Sequence, residues 1–124
     1  MENNLQPTFG HGKICYIEVP AVDVEVSAAF YKDVFGWSIR RREDGSIGFD
    51  DGVNQVSGSW ISGRRPSTEV GMLISIMVLD AEATLAAIAA HGGVVVQSIG
   101  KDAPEITARF TDPAGNLWSI YQHA

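Results

Sequence analysis

The sequence predicts an α+β fold made of two βαβββ units in tandem. Two observations carry most of that prediction. First, an apolar run ending in Asp23 is followed by Ser27 and Gly36, and the same order recurs as an apolar run ending in Asp80, then Thr84 and Gly93. The spacings agree in both copies, so the copies are offset by 80 − 23 = 57 residues, and Gly58 and Gly115 add a weaker match at that offset. Second, each Asp is preceded by a strand-like run and followed by an amphipathic stretch that ends at glycine.

The elements follow in order. Residues 14–22 read as the first strand. Asp23 is an N-cap candidate, because its carboxylate can accept from the free amides of a first helical turn. Val26, Ala29, Phe30 and Val34 share one predicted helix face. Gly36 supplies a stop that tolerates positive φ. Residues 37–42 and 46–50 read as a hairpin across Glu43-Asp44-Gly45, and 55–62 as the next strand. Gly63-Arg64-Arg65-Pro66-Ser67 is basic and turn-rich, which marks a linker over residues 63–69. The second copy reads as a strand at 72–79, a helix capped by Asp80 with Leu85, Ile88 and Ala89 on one face, and a stop at Gly92-Gly93. Strands at 94–98, 106–110 and 117–122 follow, the last two joined by the turn Asp112-Pro113-Ala114-Gly115-Asn116. Both helices are expected on one side of the sheet. The expected organisation is an N-terminal extension at 1–12 and one domain at 13–122, with repeats at 13–62 and 70–122.

A chain of 124 residues and 13.4 kDa suits one compact domain. Hydrophobic residues make up 45% and charged residues 19%, ordinary globular usage. The net charge of −6 repels phosphate backbones and anionic lipid, which argues against nucleic-acid and membrane-surface partners. The single Cys15 excludes an intrachain disulfide and a multi-cysteine zinc site. The polar N-terminus has no basic n-region and no stretch is apolar enough to span a bilayer, so a cytoplasmic protein is expected.

Two motifs carry a resemblance. Val22-Asp23-x-x-x-Ser27-x-x-Phe30-Tyr31-x-x-x-Phe35-Gly36-Trp37, followed late in the chain by Asp112-Pro113-x-Gly115-Asn116, resembles the glyoxalase, bleomycin-resistance and extradiol-dioxygenase superfamily, the vicinal oxygen chelate proteins. The likeness covers about residues 13–122. It implies that each unit forms a curved four-stranded sheet, that two units make a U-shaped, partly open cleft, and that the protein is a homodimer. The superfamily houses lyases, isomerases, dioxygenases and metal-free antibiotic binders, so the residues must choose among them.

Metal-dependent members usually place a ligand seven residues before each helix-starting Asp and a Glu four residues after the Gly of the late turn. Here those positions hold Tyr16, Leu73 and Ser119. The last strand of the first repeat offers Gln55, Ser57, Ser59 and Ser62, with no carboxylate or imidazole. Divalent ions need several such ligands converging within about 2–2.6 Å, so no metal or other cofactor is expected. His91, at the end of the second helix, suits a negative dipole end. His11 lies before the first strand on the wrong parity, and His123, four residues beyond Ser119, reads as a terminal residue.

Strand alternation assigns the remaining side chains. Cys15, Ile17 and Val19 should pack under the helix, with Cys15 as a small buried hydrophobe, while Tyr16 and Glu18 face the cleft. Met72, Ile74 and Ile76 should face the second helix, and Leu73, Ser75 and Met77 the cleft. Trp118 and Ile120 are core residues; Ser119 and Tyr121 face the cleft. Glu105, Thr107 and Arg109 share one strand face, which makes Arg109 the expected partner of Glu18. Trp60 belongs either to an aromatic pocket or to the core. Arg40-Arg41-Arg42 reads as a solvated strand edge. The leading functional reading is a metal-free binder of a small organic molecule, partly aromatic or cationic, contacted by Tyr16, Glu18, Leu73, Ser75, Met77, Arg109, Ser119 and Tyr121. The other reading is an enzyme of the same superfamily that uses Glu18 as a base or an unusual metal set. A pure interaction module is a third.

Overall fold

A computed structural model describes residues 6–69 and 71–123. The chain divides between Arg64 and Arg65 into two compact units. In the first, β1 (Tyr16–Ala21), α1 (Val24–Phe35), β2 (Ser38–Arg41), β3 (Ile47–Asp50) and β4 (Ser57–Ser62) give a sheet of order β1-β4-β3-β2. In the second, β5 (Ser75–Val78), α2 (Ala81–Ala90), β6 (Val94–Gln97), β7 (Ile106–Thr111) and β8 (Leu117–Gln122) give the order β5-β8-β7-β6. The first and last strands of each unit pair in parallel and the other neighbours antiparallel. Each unit thus has its own four-stranded sheet and its own helix, as the resemblance implies, rather than one sheet with both helices on one side.

Capping explains where the helices start. Asp23 Oδ1 accepts from the amides of Glu25 and Val26 at 3.0 and 3.3 Å, and Gly36 ends α1 in the left-handed region at φ 72°. Asp80 Oδ1 accepts from Ala83 N at 3.0 Å. The α2 start gains a second, distant cap, because Gln122 Oε1 on β8 accepts from Ala81 N at 2.7 Å. His91 is the C-cap residue of α2, with Nδ1 2.8 Å from Ala87 O, as its place at the helix end suggested.

The helical period was legible but its phase was not. The buried residues of α1 are Ser27, Ala28, Phe30 and Tyr31, whereas Val26 and Ala29 are exposed. Tyr31 sets this phase by stacking on Trp37 (centroids 4.7 Å apart), which stacks on Phe49 (4.5 Å), which packs on Trp60 (4.8 Å). In α2 the buried residues are Ala81 and Ile88, and Ala89 is exposed. Ile88 joins a core of Ala108, Phe110, Trp118 and Ile120.

Gly58 is required by its neighbour. It pairs with Phe49 across β3 and β4, and a Cβ there would lie 2.1 Å from Ile17 O and 2.3 Å from Phe49 Cζ. Gly115 lies instead in the turn before β8, with φ +98°. The weak Gly58–Gly115 match is therefore not a structural equivalence. Glu18 pairs with Ser59 as Ser75 pairs with Ser119, so the offset is 75 − 18 = 57 on the first strand of each unit and 119 − 59 = 60 on the last.

The late turn is structural. Buried Asp112 accepts through Oδ1 from the amides of Ala114 (3.0 Å) and Asn116 (2.9 Å), and through Oδ2 from Asn116 Nδ2 (2.9 Å). Asn116 Oδ1 then accepts from Ser67 N at 2.8 Å, and Leu117 N donates to Ser67 O at 2.7 Å. These bonds tie Ser67, read as linker, to the second unit. Among the described residues no helix is long and apolar enough to cross a membrane.

Candidate functional site

Each sheet has one face covered by its own helix and a second face without a helix, termed the open face. In the first unit the helix face carries Val19, Phe49 and Trp60, all buried. Trp60 is thus core, packed against Tyr31 and Phe49. Strand register builds the open face. Glu18, Ser59, Gly48 and Arg40 form one row across the four strands, and Tyr16, Ser57, Asp50 and Ser38 form the next. Tyr16 and Glu18 lie where alternation placed them, both about half-exposed.

This face is held by charge pairs that sequence reasoning did not find. Asp50 is buried, and its two oxygens accept from Arg40 Nε and Ser57 Oγ, both at 2.7 Å. Glu18 Oε1 meets Arg64 Nη1 at 2.7 Å. The partner found for Glu18 is therefore Arg64, at the end of its own unit, rather than Arg109, which belongs to the second. The carboxylate is also not a buried one, since about half of each side chain of the pair is exposed. The arginine run alternates: Arg40 and Arg42 lie on the open side, while Arg41 turns to the helix side and grips Glu25 through both guanidinium nitrogens at 2.7 and 2.8 Å. That contact holds the Glu25 carboxyl below its ordinary value. A glycine inside a strand was the available signal for this face. A Cβ on Gly48 would lie 2.7 Å from Arg42 Nη2 and 2.8 Å from Gly58 O, so the glycine admits the guanidinium.

The open face of the second sheet carries the rest of the expected set. Ser75, Ser119 and Arg109 form one row and Met77, Tyr121 and Thr107 another. Met77 is exposed, Ser119 is buried and donates to Ile120 O at 3.2 Å, and Tyr121 Oη lies 3.2 Å from His123 Nδ1. Leu73 precedes β5 and is half-buried; Met72, expected toward the helix, is exposed because the strand begins only at Ser75.

Cys15 also departs from expectation. It is exposed, one residue before the paired part of edge strand β1. It lines a pocket of about 290 Å³ with Phe9, Lys13 and Gln55. Gln55 Oε1 accepts from Thr8 N at 3.1 Å there, which docks part of the expected N-terminal extension onto the first unit.

Metal-dependent members of the superfamily the chain resembles hold a divalent ion, and the donors here do not suit one. A phenol, a leucine and a hydroxyl occupy the Tyr16, Leu73 and Ser119 positions, with Ser119 already donating to backbone. The Ser57 hydroxyl is engaged by Asp50 and the Gln55 carbonyl by Thr8. No role in the chemistry is assigned to a metal on this donor set.

Comparison with known proteins agrees with this architecture. A glyoxylase-like domain-containing protein of Didymella fabae is 32% identical over 127 residues, covering 89% of this chain and 93% of that protein. Two solved structures share the fold. A glyoxalase/bleomycin resistance protein/dioxygenase family enzyme from Burkholderia phytofirmans matches with a TM-score of 0.74 at 16% identity, over 90% of this chain and 98% of its own. The genomically encoded fosfomycin resistance protein FosX from Listeria monocytogenes matches with a TM-score of 0.75 at 14% identity, over 91% and 92%. The family model for the Glyoxalase/Bleomycin resistance protein/Dioxygenase superfamily matches residues 13–120, and the chain belongs to that superfamily.

Proposed function

We propose that this protein binds a small organic molecule on the open face of its first sheet and does so without a resident divalent ion. One observation carries the reading. Half-buried Ser57 and buried Ser59, beside Gly48 under the Arg42 guanidinium, put small side chains between Tyr16 on one edge strand and the Arg40–Asp50 pair on the other side. A flat ligand can lie on such a floor, with Tyr16 giving aromatic contact and the charged pairs giving orientation. The second sheet offers a comparable face of Ser75, Met77, Arg109, Ser119 and Tyr121, with Leu73 beside it. The donor chemistry at Tyr16, Leu73 and Ser119 supports the metal-free part of the reading.

The test begins with metal analysis of protein purified without an affinity tag and then dialysed against Ni, Zn, Mn and Fe(II). The expected result is no stoichiometric ion; about one per chain would defeat the metal-free reading. A thermal-shift screen of small aromatic compounds should then raise Tm in the native protein and less in Tyr16→Ala. An enzymatic role through Glu18 would require loss of turnover in Glu18→Gln, and its pairing with Arg64 speaks for orientation rather than proton abstraction. The homodimer that the family likeness suggests is tested by light scattering, where the expected mass is twice 13.4 kDa.

A further inference from the structure

We propose that the ligand of this face carries a carboxylate, received by the Arg42 guanidinium above Gly48. The inference rests on the binding reading just given and names its ligand class. Three guanidiniums serve the open face of the first sheet. Arg40 is committed to Asp50 and Arg64 to Glu18. Arg42 is different. Among the described residues no carboxylate comes within 4.0 Å of it, and its side chain makes one long hydrogen bond, Nη1 to Ser46 Oγ at 3.4 Å. Asp44 in the hairpin turn is held by Ser46 N at 2.9 Å and Ser46 Oγ at 2.6 Å, and it feels the Arg42 charge without an ion pair within 4.0 Å.

Arg42 is also placed rather than waving in solvent. Its guanidinium lies against the sheet where Gly48 has no side chain. The Ser59 hydroxyl is the neighbour of Gly48 in the same row. A planar fork beside a hydroxyl matches a carboxylate, which the fork can hold through two parallel bonds. A single cation with no ion pair within 4.0 Å neutralises at most one charge. A dianion would leave excess negative charge close to Glu18 and Asp50, so the class is a monoanion.

Reach sets the rest of the ligand. The guanidinium sits over β3, two strands from Tyr16 on β1. Two strand spacings are about 10 Å, the span of an aryl group joined to a carboxylate by a short chain. The net charge of −6 works against an anion at long range. Screening removes most of that field beyond about 8 Å, whereas the guanidinium contact acts at about 3 Å. The cationic ligand suggested by composition is therefore replaced by an anionic one on local geometry.

The experiment is an amide ¹⁵N–¹H NMR titration with 3-phenylpropionate, 3-phenylpropylammonium and 3-phenylpropanol, which share a skeleton and differ in charge. The carboxylate should move the Gly48 and Ser59 amides and bind roughly tenfold or more tightly than the ammonium. Arg42→Gln, at an exposed side chain, should weaken the carboxylate roughly tenfold and leave the alcohol unchanged. Arg42→Lys should recover part of the loss, since it keeps the charge without the fork. Equal or tighter ammonium binding, or carboxylate binding indifferent to Arg42→Gln, overturns the inference while leaving the binding reading intact. No response to any of the three compounds overturns both.

Discussion

The two units share strand order, parallel first-to-last pairing and an Asp N-cap, yet they differ in what fills the two faces of the sheet. The first unit stacks rings under its helix, from Tyr31 through Trp37 and Phe49 to Trp60, and lays ion pairs on its open face. The second has an alanine-rich helix that buries only Ala81 and Ile88, and its open face is Ser, Thr, Met and Tyr around Arg109. One topology thus supports a surface of paired charges and one with a single guanidinium among uncharged side chains. Strand register dictates which residues meet, and side-chain chemistry decides what the meeting does.

The contrast can be broken hardest at the aromatic core. Gly58→Ala should destabilise the protein by about 3 kcal/mol, because the added methyl meets a backbone oxygen and the Phe49 ring that anchors the stack. Urea unfolding measures this, and a loss below about 1 kcal/mol would mean that the ring stack is looser than described. In the second unit the matching strain point is polar. Asp112→Ala removes the acceptor for two amides and for Asn116 Nδ2, and should cost about 2–3 kcal/mol by the same measurement. Amide exchange at Ser67 should accelerate with it, since Asn116 would lose its orientation.

Smaller effects sharpen the comparison. Asp23→Ala and Asp80→Ala each remove a cap, and the first should cost about 1 kcal/mol. The second should cost less, because Gln122 also accepts at the start of α2. The smallest effect is pH-dependent. Arg41 lowers the Glu25 pKa from 4.5, chiefly by hydrogen bonding, so the charged form is favoured in the fold. That contribution is present above pH 4.5 and is lost as pH falls through the lower folded value. Both side chains of the pair are exposed, so salt should weaken it. Urea midpoints of the native protein and Glu25→Gln should differ slightly at neutral pH and converge in acid.

The sequence by itself determined the repeat, the Asp caps, the late turn and the two-residue alternation that put Tyr16 and Glu18 on one face and Thr107 and Arg109 on another. Caps, turns and pleat link residues within about four positions, so a single sequence exposes them. The tertiary structure decided what depends on residues far apart in the chain. It rotated the α1 stripe from Val26 and Ala29 to Ser27 and Tyr31, because an aromatic stack needs partners on β3 and β4. It left Cys15 exposed at the start of an edge strand. It placed Arg64 beside Glu18, and Arg40 and Ser57 beside Asp50. The offset of 57 residues at the first strands becomes 60 at the last, so the repeat cannot be extended by counting into the strands that complete the site. Periodicity records which side of a strand a residue takes, and only strand register records its neighbour across the sheet.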